Sequence, residues 1–297
     1  MAWQELSVAS RYPEFAEELL LAAGAQAVTQ RDAADHPVLE PALGDTPLWP
    51  ATQTVGLFTA GVDLTAARRL LRDSLPQDDT LVFSQRQVPD ADWIRLWQHG
   101  VEPLHFGGHL WVRPAGKPLP REAAQDAIVV ELDPGLAFGT GTHPSTALCL
   151  EWLASQALAG STVLDYGCGS GILAIAALKL GAQHAWATDI DSQALDATRE
   201  NATRNGVADR LALYPPDALP APTQADVIVA NILANPLIQL APRLAALSHA
   251  GTRLALAGLL EAQERMIRQV YEPQFEFEAP ATRDGWLRLS ARRLQLR

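Results

Sequence analysis

One stretch of the sequence decides the fold, and it reads Asp165-Tyr166-Gly167-Cys168-Gly169-Ser170-Gly171. It lies between a strand-like apolar run, 162–166, and a helical pattern that begins at Ile172. Glycine lets the backbone turn sharply and lets a ligand lie against main-chain amides, and the following helix directs its N-terminal dipole at the same place. A strand, a glycine loop and a helix in this order predict a ligand site in an open α/β sheet, beyond the carboxyl ends of the strands.

The residues around this loop alternate between strand and helix patterns. The predicted strands are 162–166, 185–190, 211–214, 225–231, 253–257, 275–279 and 286–292, and the predicted helices are 172–180, 192–205, 236–247 and 261–270. Repeated βα units predict a mostly parallel sheet with helices on both faces. Because no helix separates the last two strands, one of them should run antiparallel. The sequence therefore predicts a seven-stranded, doubly wound α/β domain over residues 124–297.

Residues 1–88 have the order β-α-β-β-α-β, which predicts a small α+β domain of the ferredoxin-like kind. Its predicted strands are 3–9, 25–30, 53–59 and 80–87, and its predicted helices are 13–23 and 64–75. Nothing in it indicates catalysis, so we interpret it as a recognition domain. Residues 89–123 are rich in proline and tryptophan, which predicts a semi-rigid linker with a short helix at 92–99. We interpret the tryptophans of this linker as anchors that pack it onto a domain.

Composition places the chain among ordinary globular proteins, with 48% apolar and 19% charged residues in 297. No apolar run approaches the ~18–20 residues of a membrane helix, and the N-terminus has no signal-peptide pattern. Two cysteines, Cys149 and Cys168, are too few for a disulfide framework or a four-cysteine metal site. We therefore expect a soluble protein of the reducing cytoplasm, with no metal.

The net charge of −11 argues against direct binding to nucleic acid, which needs clusters of Lys and Arg. Residues 1–88 hold 6 basic and 12 acidic side chains, and residues 124–297 hold 13 and 18. Both predicted domains are thus acidic. The charge suits a basic protein partner, although an acidic surface that only maintains solubility explains it equally well.

The spacing of the glycines separates two classes of cofactor. A dinucleotide site has the pattern G-x-G-x-x-G, which would place a third glycine at position 172, where this chain has Ile172. The pattern from Asp165 is D-x-G-x-G-x-G, which resembles the glycine motif of class I methyltransferases. After the next strand, Asp189 can accept both hydroxyls of an adenosine ribose, whereas Asp191 is interpreted as the cap of the following helix. Together these features favour S-adenosylmethionine over a nicotinamide dinucleotide.

A third strand end carries a candidate catalytic residue, Asn231, in Asn231-Ile232-Leu233-Ala234-Asn235-Pro236. Methyl transfer to an amine requires exclusion of water and a neutral amine held in line with the departing sulfur. The side-chain carbonyl of Asn231 can aim such an amine by accepting its N–H. Asn and Pro are also ordinary turn residues, and this motif alone leaves that reading open.

Upstream of these motifs, residues 132–146 form a segment rich in glycine and threonine. It lacks the Gly-Lys-Ser/Thr ending of a phosphate loop, since Thr142 and His143 follow Gly141. His143 is a weak candidate for a catalytic base. The chain also lacks a G-x-S-x-G nucleophile motif and a lysine placed for a Schiff base.

Taken together, residues 132–146, 165–177, 189–191 and 229–237 resemble the PrmA family, bacterial methyltransferases of ribosomal large-subunit protein eleven. The resemblance covers essentially the full length. It implies trimethylation of lysine ε-amines and of the N-terminal α-amine of that substrate, which the N-terminal domain holds while the linker moves the catalytic domain. It also implies that the cofactor is bound by Thr146, Gly167, Asp189 and Asn231, to which the glycine loop adds Asp165 and Gly169. The sequence departs from the family pattern at the end of the linker, where it has Pro114-Ala115-Gly116. This difference concerns the geometry of the hinge and not the chemistry.

Three other functions remain open at this point. The first is methylation of a different protein or of a small-molecule amine. The second is a nicotinamide oxidoreductase on a similar sheet, and the third is a binding module that holds the cofactor without transferring its methyl group.

Overall fold

The computed structural model describes residues 2–34, 49, 51–76, 81–88, 102–123, 125–132, 141–221 and 223–295. The chain divides into two compact units, Met1–Asp92 and Trp93–Arg297. The predicted helix at 92–99 lies outside the described residues, as do Trp93 and Trp97. The predicted boundaries at residues 88 and 123 therefore stay predictions.

The first unit is a four-stranded antiparallel sheet with two helices. Its elements are β1 (Trp3–Ala9), α1 (Pro13–Ala22), β2 (Ala27–Asp32), β3 (Thr52–Thr59), α2 (Thr65–Ser74) and β4 (Val82–Val88). The strand order is β2-β3-β1-β4, and every neighbouring pair is antiparallel. The predicted ferredoxin-like order of elements is confirmed.

Alternation along β1 explains how this sheet is covered. Leu6 and Val8 are completely buried in the core that the two helices close. Glu5 lies on the opposite face, since successive side chains of a strand point to opposite sides. Its carboxylate accepts hydrogen bonds from Arg86 (2.9 Å) on the neighbouring strand β4 and from Arg31 (3.2 Å) on β2, the strand beyond β3.

The second unit contains the large sheet predicted around the glycine loop. Its strands are β8 (Thr162–Tyr166), β9 (His184–Thr188), β10 (Leu211–Tyr214), β11 (Ala225–Asn231), β12 (Ser248–Leu260), β13 (Phe275–Phe277), β14 (Ala281–Arg283) and β15 (Trp286–Arg293). Its helices are α3 (Pro144–Ser155), α4 (Ile172–Lys179), α5 (Ser192–Arg204), α6 (Ala234–Ala246) and α7 (Glu264–Tyr271). The strand order is β10-β9-β8-β11-β12-β15-β13, parallel from β10 to β12 and antiparallel beyond β12.

The helices cover both faces of this sheet, as predicted. Residues of α3, α4 and α5 belong to one buried cluster, whereas residues of α6 and α7 belong to a second cluster with other strand residues. Every residue from Ile172 to Leu178 is buried, so α4 lies in the middle of its layer. The doubly wound architecture is therefore confirmed.

The sheet has an eighth strand that the sequence analysis did not predict. The short β14 pairs only with β15, through a two-residue turn at Asp284 and Gly285. Both turn residues have positive φ, 51° and 78°. Asp-Gly with two positive φ angles matches the twist of a tight β-hairpin, so this dipeptide is the signal for the extra strand.

The segment predicted as a linker contains two strands that were not predicted from the sequence, at residues 104–105 and 110–114. β5 (Leu104–His105), β6 (Leu110–Pro114) and β7 (Ile128–Leu132) form a three-stranded sheet. Leu110 and Val112 are buried in the cluster that contains α4. Alternating burial at positions 110, 112 and 114 is the pattern of a strand, and it was a better guide to this segment than the proline spacing on which the linker prediction rested.

None of the helices in the described part of the chain is long and apolar enough to cross a membrane.

Candidate cofactor and active site

The carboxyl ends of three neighbouring strands meet at one edge of the large sheet. β8 lies between β9 and β11 and pairs in parallel with both. The chain proceeds from β8 to β9 on one side and later to β11 on the other, so the strand order reverses at β8. Such a reversal opens a crevice at the carboxyl edge of the sheet. The glycine loop, Asp189 and Asn231 follow or end these three strands, so the structure brings the predicted residues to one edge.

The glycine loop is folded against the end of β9. The amides of Gly167 and Cys168 both donate to the carbonyl oxygen of Thr188, at 2.8 and 3.0 Å. The amide of Gly169 donates to Oδ2 of Asp189 at 2.9 Å. The main chain of the loop is therefore held by β9 and by the carboxylate that follows it.

Two of the loop glycines leave no room for a side chain. Gly167 has φ +82°, and a Cβ there would lie 2.4 Å from Cγ2 of Ile232. Gly171 has φ +78°, and its Cβ would lie 2.6 Å from Cγ2 of Thr198. Both contacts are closer than real Cβ atoms tolerate, so glycine is required on steric as well as conformational grounds.

The carboxylate of Asp189 is half-buried and already accepts two main-chain hydrogen bonds. Oδ2 accepts from Gly169, and Oδ1 accepts from the amide of Asp191 at 3.0 Å. A carboxylate has about four acceptor positions, so Asp189 retains capacity for a pair of ribose hydroxyls. Asp191 accepts from the amide of Gln193 at 2.9 Å and caps α5, which confirms its interpretation as a helix cap.

Asp165 lies under the loop and is completely buried. Its Oδ2 accepts from the amide of Ala174 at 3.0 Å, whereas Oδ1 has no protein partner within the described residues. Burial raises the pKa of this carboxyl to about 7, against the lowering effect of the Ala174 hydrogen bond, and the charge of Asp189 raises it further. In the structure Asp165 supports the first turn of α4, and a direct contact with the cofactor stays a prediction.

Asn231 is the last residue of β11, and it meets a residue far away in the sequence. Its Nδ2 donates to Oγ1 of Thr146, in the first turn of α3, at 3.2 Å. Thr146 is 1% exposed, whereas Asn231 is partly open to solvent. Because the amide nitrogen is used by Thr146, the carbonyl oxygen is the atom that Asn231 can offer to an incoming N–H.

His143 has a structural place at the start of α3. Its Nδ1 accepts from the amide of Ser145 at 3.3 Å and lies 2.7 Å from Oγ of the same residue. The ring packs edge-on against Trp286, with centroids 4.4 Å apart. Burial lowers the pKa of His143, so the ring is neutral at pH 7 and serves as a helix cap. Residues 133–140 of the segment before it lie outside the described part.

Three site residues were missed in the sequence. Ile190 is 93% exposed and follows Asp189 directly, so a flat apolar ring could cover it. Covering a side chain of this size recovers about 1.5–3 kcal/mol. Thr198 donates to the carbonyl oxygen of Gly169 at 3.0 Å, and Asn201 donates to that of Ser170 at 3.0 Å. Ile190 could have been predicted, because it is an apolar residue between two aspartates. The contacts of Thr198 and Asn201 could not, because they depend on the packing of α5 against the loop.

These features fit a nucleoside cofactor with a positive charge. Beside the loop, Oδ1 of Asp165 and Oγ1 of Thr188 are buried acceptors without a protein partner in the described residues. The carboxylate of Asp189 gives the edge a negative charge, and the exposed side chain of Ile190 offers an apolar surface. The described residues contain no group of three or more His, Cys, Asp or Glu side chains that could hold a metal ion.

Comparison with known proteins gives a match along nearly the whole chain. A family model described as ribosomal protein L11 methyltransferase (PrmA) matches residues 2–294. The chain is 48% identical, over 299 residues and the full length of both chains, to a ribosomal protein L11 methyltransferase of Shewanella amazonensis. It is 50% identical over 300 residues to one of Pseudomonas putida, covering 99% of this chain and 100% of the relative. The crystal structure of a ribosomal protein L11 methylase from Lactobacillus delbrueckii subsp. bulgaricus is similar with a TM-score of 0.58 and 32% identity, over 66% of this chain and 100% of that one.

Proposed function

This chain belongs to the family of ribosomal protein L11 methyltransferases, and we propose that it methylates amino groups of ribosomal protein L11. It is a protein methyltransferase, and S-adenosylmethionine is its cofactor. Membership in this family overturns the nicotinamide interpretation left open by the sequence. We further propose that the acceptors are lysine ε-amines and the N-terminal α-amine, each carried to the trimethylated state.

The observation that carries the proposal is the hydrogen bond between Asn231 and Thr146 at the edge where the glycine loop lies. It joins the end of β11 to the start of α3, across 85 residues of sequence. An amide fixed in this way presents its carbonyl oxygen in one direction. That rigidity is what an in-line displacement requires of a residue that aims the nucleophile.

The residues around the glycine loop are those that would hold the cofactor. We assign the ribose hydroxyls to Asp189, the adenine to the surface of Ile190, and the remainder of the molecule to the main chain of Gly167 and Gly169. When bound, S-adenosylmethionine supplies a methyl group on a positively charged sulfur that an amine can displace.

Asn231 is the residue that we assign to the acceptor amine. In the first two transfers its Oδ1 would accept an N–H of the neutral amine and so orient the nitrogen lone pair for an in-line displacement. A carbonyl acceptor does this without taking a proton. Asn231 therefore orients the nucleophile.

The amine must lose a proton before it attacks, because a free lysine has a pKa of ~10.4. His143 caps α3 by accepting a hydrogen bond at Nδ1 from the amide of Ser145, and we assign it no role as a base. Deprotonation then depends on desolvation of the ammonium in the pocket and on the pH of the solution. We expect kcat/KM to rise as the pH rises from 7 to 9, without the descending arm of a bell-shaped profile in that range.

Recognition of the substrate is assigned to residues 1–88, which hold 12 acidic and 6 basic side chains. Their negative charge suits a basic protein surface and opposes contact with the phosphates of nucleic acid. We propose that the enzyme works in the cytoplasm on this protein, without direct contact with RNA.

The proposal can be tested with purified ribosomal protein L11 and methyl-labelled S-adenosylmethionine. We expect Asn231→Ala to lower kcat by about 100-fold, equivalent to ~2.7 kcal/mol, while affinity for S-adenosylhomocysteine falls by less than tenfold. Substrate whose amines have been acetylated should take up no label. Equal losses of kcat and of binding in Asn231→Ala would remove this residue from the transfer step.

A further inference from the structure

Strand β12 contains a bulge beside the end of β11. Along the pairing with β15, Leu256 lies opposite Leu289 and Leu259 opposite Leu287, so β12 has one residue more than β15 between these pairs. The extra length falls at positions 257 and 258. On its other side, β12 pairs with β11 up to Ala257, which lies opposite Asn231. The bulge therefore lies next to the residue that we assign to the acceptor amine.

The residue after Asn231 is packed against this bulge through its main chain. Gly258 has φ +78°, and a Cβ there would lie 2.6 Å from the carbonyl oxygen of Ile232 and 3.0 Å from its nitrogen. A backbone cannot rotate away from such a contact as the end of a side chain can. Bulges often occur beside active sites, where they change the direction of the chain. Here the bulge lets the main chain of Ile232 approach β12 closely.

The side chain of the same residue is packed against the glycine loop. A Cβ at Gly167 would lie 2.4 Å from Cγ2 of Ile232. Ile232 is thus wedged between two glycines, with its main chain against Gly258 and its side chain against Gly167. Since Asn231 precedes it in the chain, this wedge sets where the amide of Asn231 can be.

We propose that Ile232 is a positioning residue, held between Gly167 and Gly258, that couples the cofactor loop to the placement of Asn231. This inference rests on the proposed role of Asn231 in transfer. It goes beyond that role, because Ile232 would act through the position of Asn231 and not on the amine itself. The wedge transmits the position of the glycine loop to the residue that aims the amine.

The first experiment measures the wedge through cofactor binding alone, by calorimetry with S-adenosylhomocysteine. Gly167→Ala should weaken binding at least tenfold, because the new methyl group meets Ile232. The double variant Gly167→Ala/Ile232→Ala should recover at least fivefold of that loss, since the obstructing Cγ2 is gone. Ile238 is the matched control, as it is also a half-buried isoleucine packed against the same core cluster. Recovery in Gly167→Ala/Ile238→Ala, or none in the Ile232 double variant, would overturn the wedge.

The second experiment measures positioning through the kinetics of the full chain. Ile232→Ala should lower kcat at least tenfold while KM for the protein substrate stays within threefold, and Ile238→Ala should retain kcat within threefold. A melting temperature equal in the two variants shows that the difference is not one of global stability. Equal kinetics in the two variants, or a parallel change of kcat and KM, would contradict a positioning role. A wild-type enzyme that is inactive on ribosomal protein L11 would refute the proposed function instead, while the calorimetric test of the wedge still applies.

The main-chain contact has its own matched pair of variants on β12. Gly251 also has a positive φ, +88°, but nothing lies within 4 Å of a Cβ placed there. Gly258→Ala and Gly251→Ala therefore carry similar conformational strain and differ in the contact with Ile232. Gly258→Ala should melt lower than Gly251→Ala or fail to fold, and equal melting temperatures would contradict the contact.

Discussion

Burial of the Asp165 carboxyl makes its charged form unfavourable in the folded protein. The carboxyl is completely buried, one of its oxygens has no protein partner in the described residues, and burial raises its pKa to about 7. In the unfolded chain the same group titrates near ~3.9. Between these values the folded state binds the proton more tightly than the unfolded state does. The contribution of Asp165 to the free energy of unfolding is therefore lost as the pH rises from about 4 to about 7.

Substitution of Asp165 tests whether its ionisation lowers the stability of the protein as the pH rises. Asp165→Asn removes the ionisation and keeps an oxygen for the amide of Ala174. Measured by thermal unfolding, the difference in melting temperature between Asp165→Asn and the wild type should grow in favour of the variant from pH 4 to pH 7. A constant difference across this range would show that Asp165 does not titrate there.

Asp189 shapes the glycine loop by accepting from the amide of Gly169, and we propose that it also accepts the ribose hydroxyls of the cofactor. Asp189→Ala should weaken binding of S-adenosylhomocysteine at least tenfold, on the order of 1.4 kcal/mol, as measured by calorimetry. Asp191→Ala is the control, since the carboxylate of Asp191 caps α5 by accepting from the amide of Gln193. It should lower the melting temperature and leave the dissociation constant within about twofold. An unchanged dissociation constant in Asp189→Ala would exclude the ribose assignment.

At the scale of elements, α5 supports the glycine loop through a polar stripe. Thr198 and Asn201 lie one turn apart and donate to the carbonyl oxygens of Gly169 and Ser170. A turn further, Asn205 exchanges hydrogen bonds with the main chain of Glu131 in β7, accepting at 2.8 Å and donating at 2.6 Å. Residues three and four apart share one face of a helix. One face of α5 therefore holds both the loop and the strand β7.

Removal of one hydroxyl tests this support. Thr198→Val should lower the free energy of unfolding by about 1–2 kcal/mol, because the carbonyl oxygen of Gly169 loses a buried partner. Binding of S-adenosylhomocysteine should weaken with it. Thr203→Val is the matched control on the same helix, since Thr203 is exposed and donates only within α5, to Arg199. Equal effects of the two variants would show that the Thr198 bond is dispensable for the loop.

Periodic patterns made most of the elements predictable from the sequence. The strands β1, β8, β10 and β11 have the predicted bounds, because apolar runs there are bordered by turn residues. The strands β5 and β6 were not predicted, since prolines near them favoured a linker and their pairing with β7 depends on contacts that are distant in sequence. Prediction of the doubly wound sheet succeeded because the βα repeat is a local feature.

In the candidate site, too, local motifs were predictable from the sequence and long-range contacts were not. Asp189 and Asn231 each belong to a local motif at the end of a strand, so both could be predicted from the sequence. The bond between Asn231 and Thr146, the wedge at Ile232 and the buried state of Asp165 arise only when separate segments pack. The spacing of residues along the sequence does not reveal which distant segments come into contact.

At the scale of the whole molecule, the two compact units predict a separation of binding from recognition. Deletion of residues 1–88 should abolish methylation of ribosomal protein L11, because it removes the acidic domain to which we assign recognition of the substrate. Affinity for S-adenosylhomocysteine should stay within about threefold, since the loop, Asp189 and α5 all belong to the second unit. Normal methylation by the truncated enzyme would contradict the recognition role of the first unit.

Mass spectrometry of ribosomal protein L11, after incubation with the enzyme and S-adenosylmethionine, tests the proposed function most directly. We expect stepwise mass increases of about 14 Da per methyl group, confined to lysine side chains and the N-terminus, and their loss with Asn231→Ala. An unmodified substrate, or modification of other ribosomal proteins in preference to it, would contradict the proposed function.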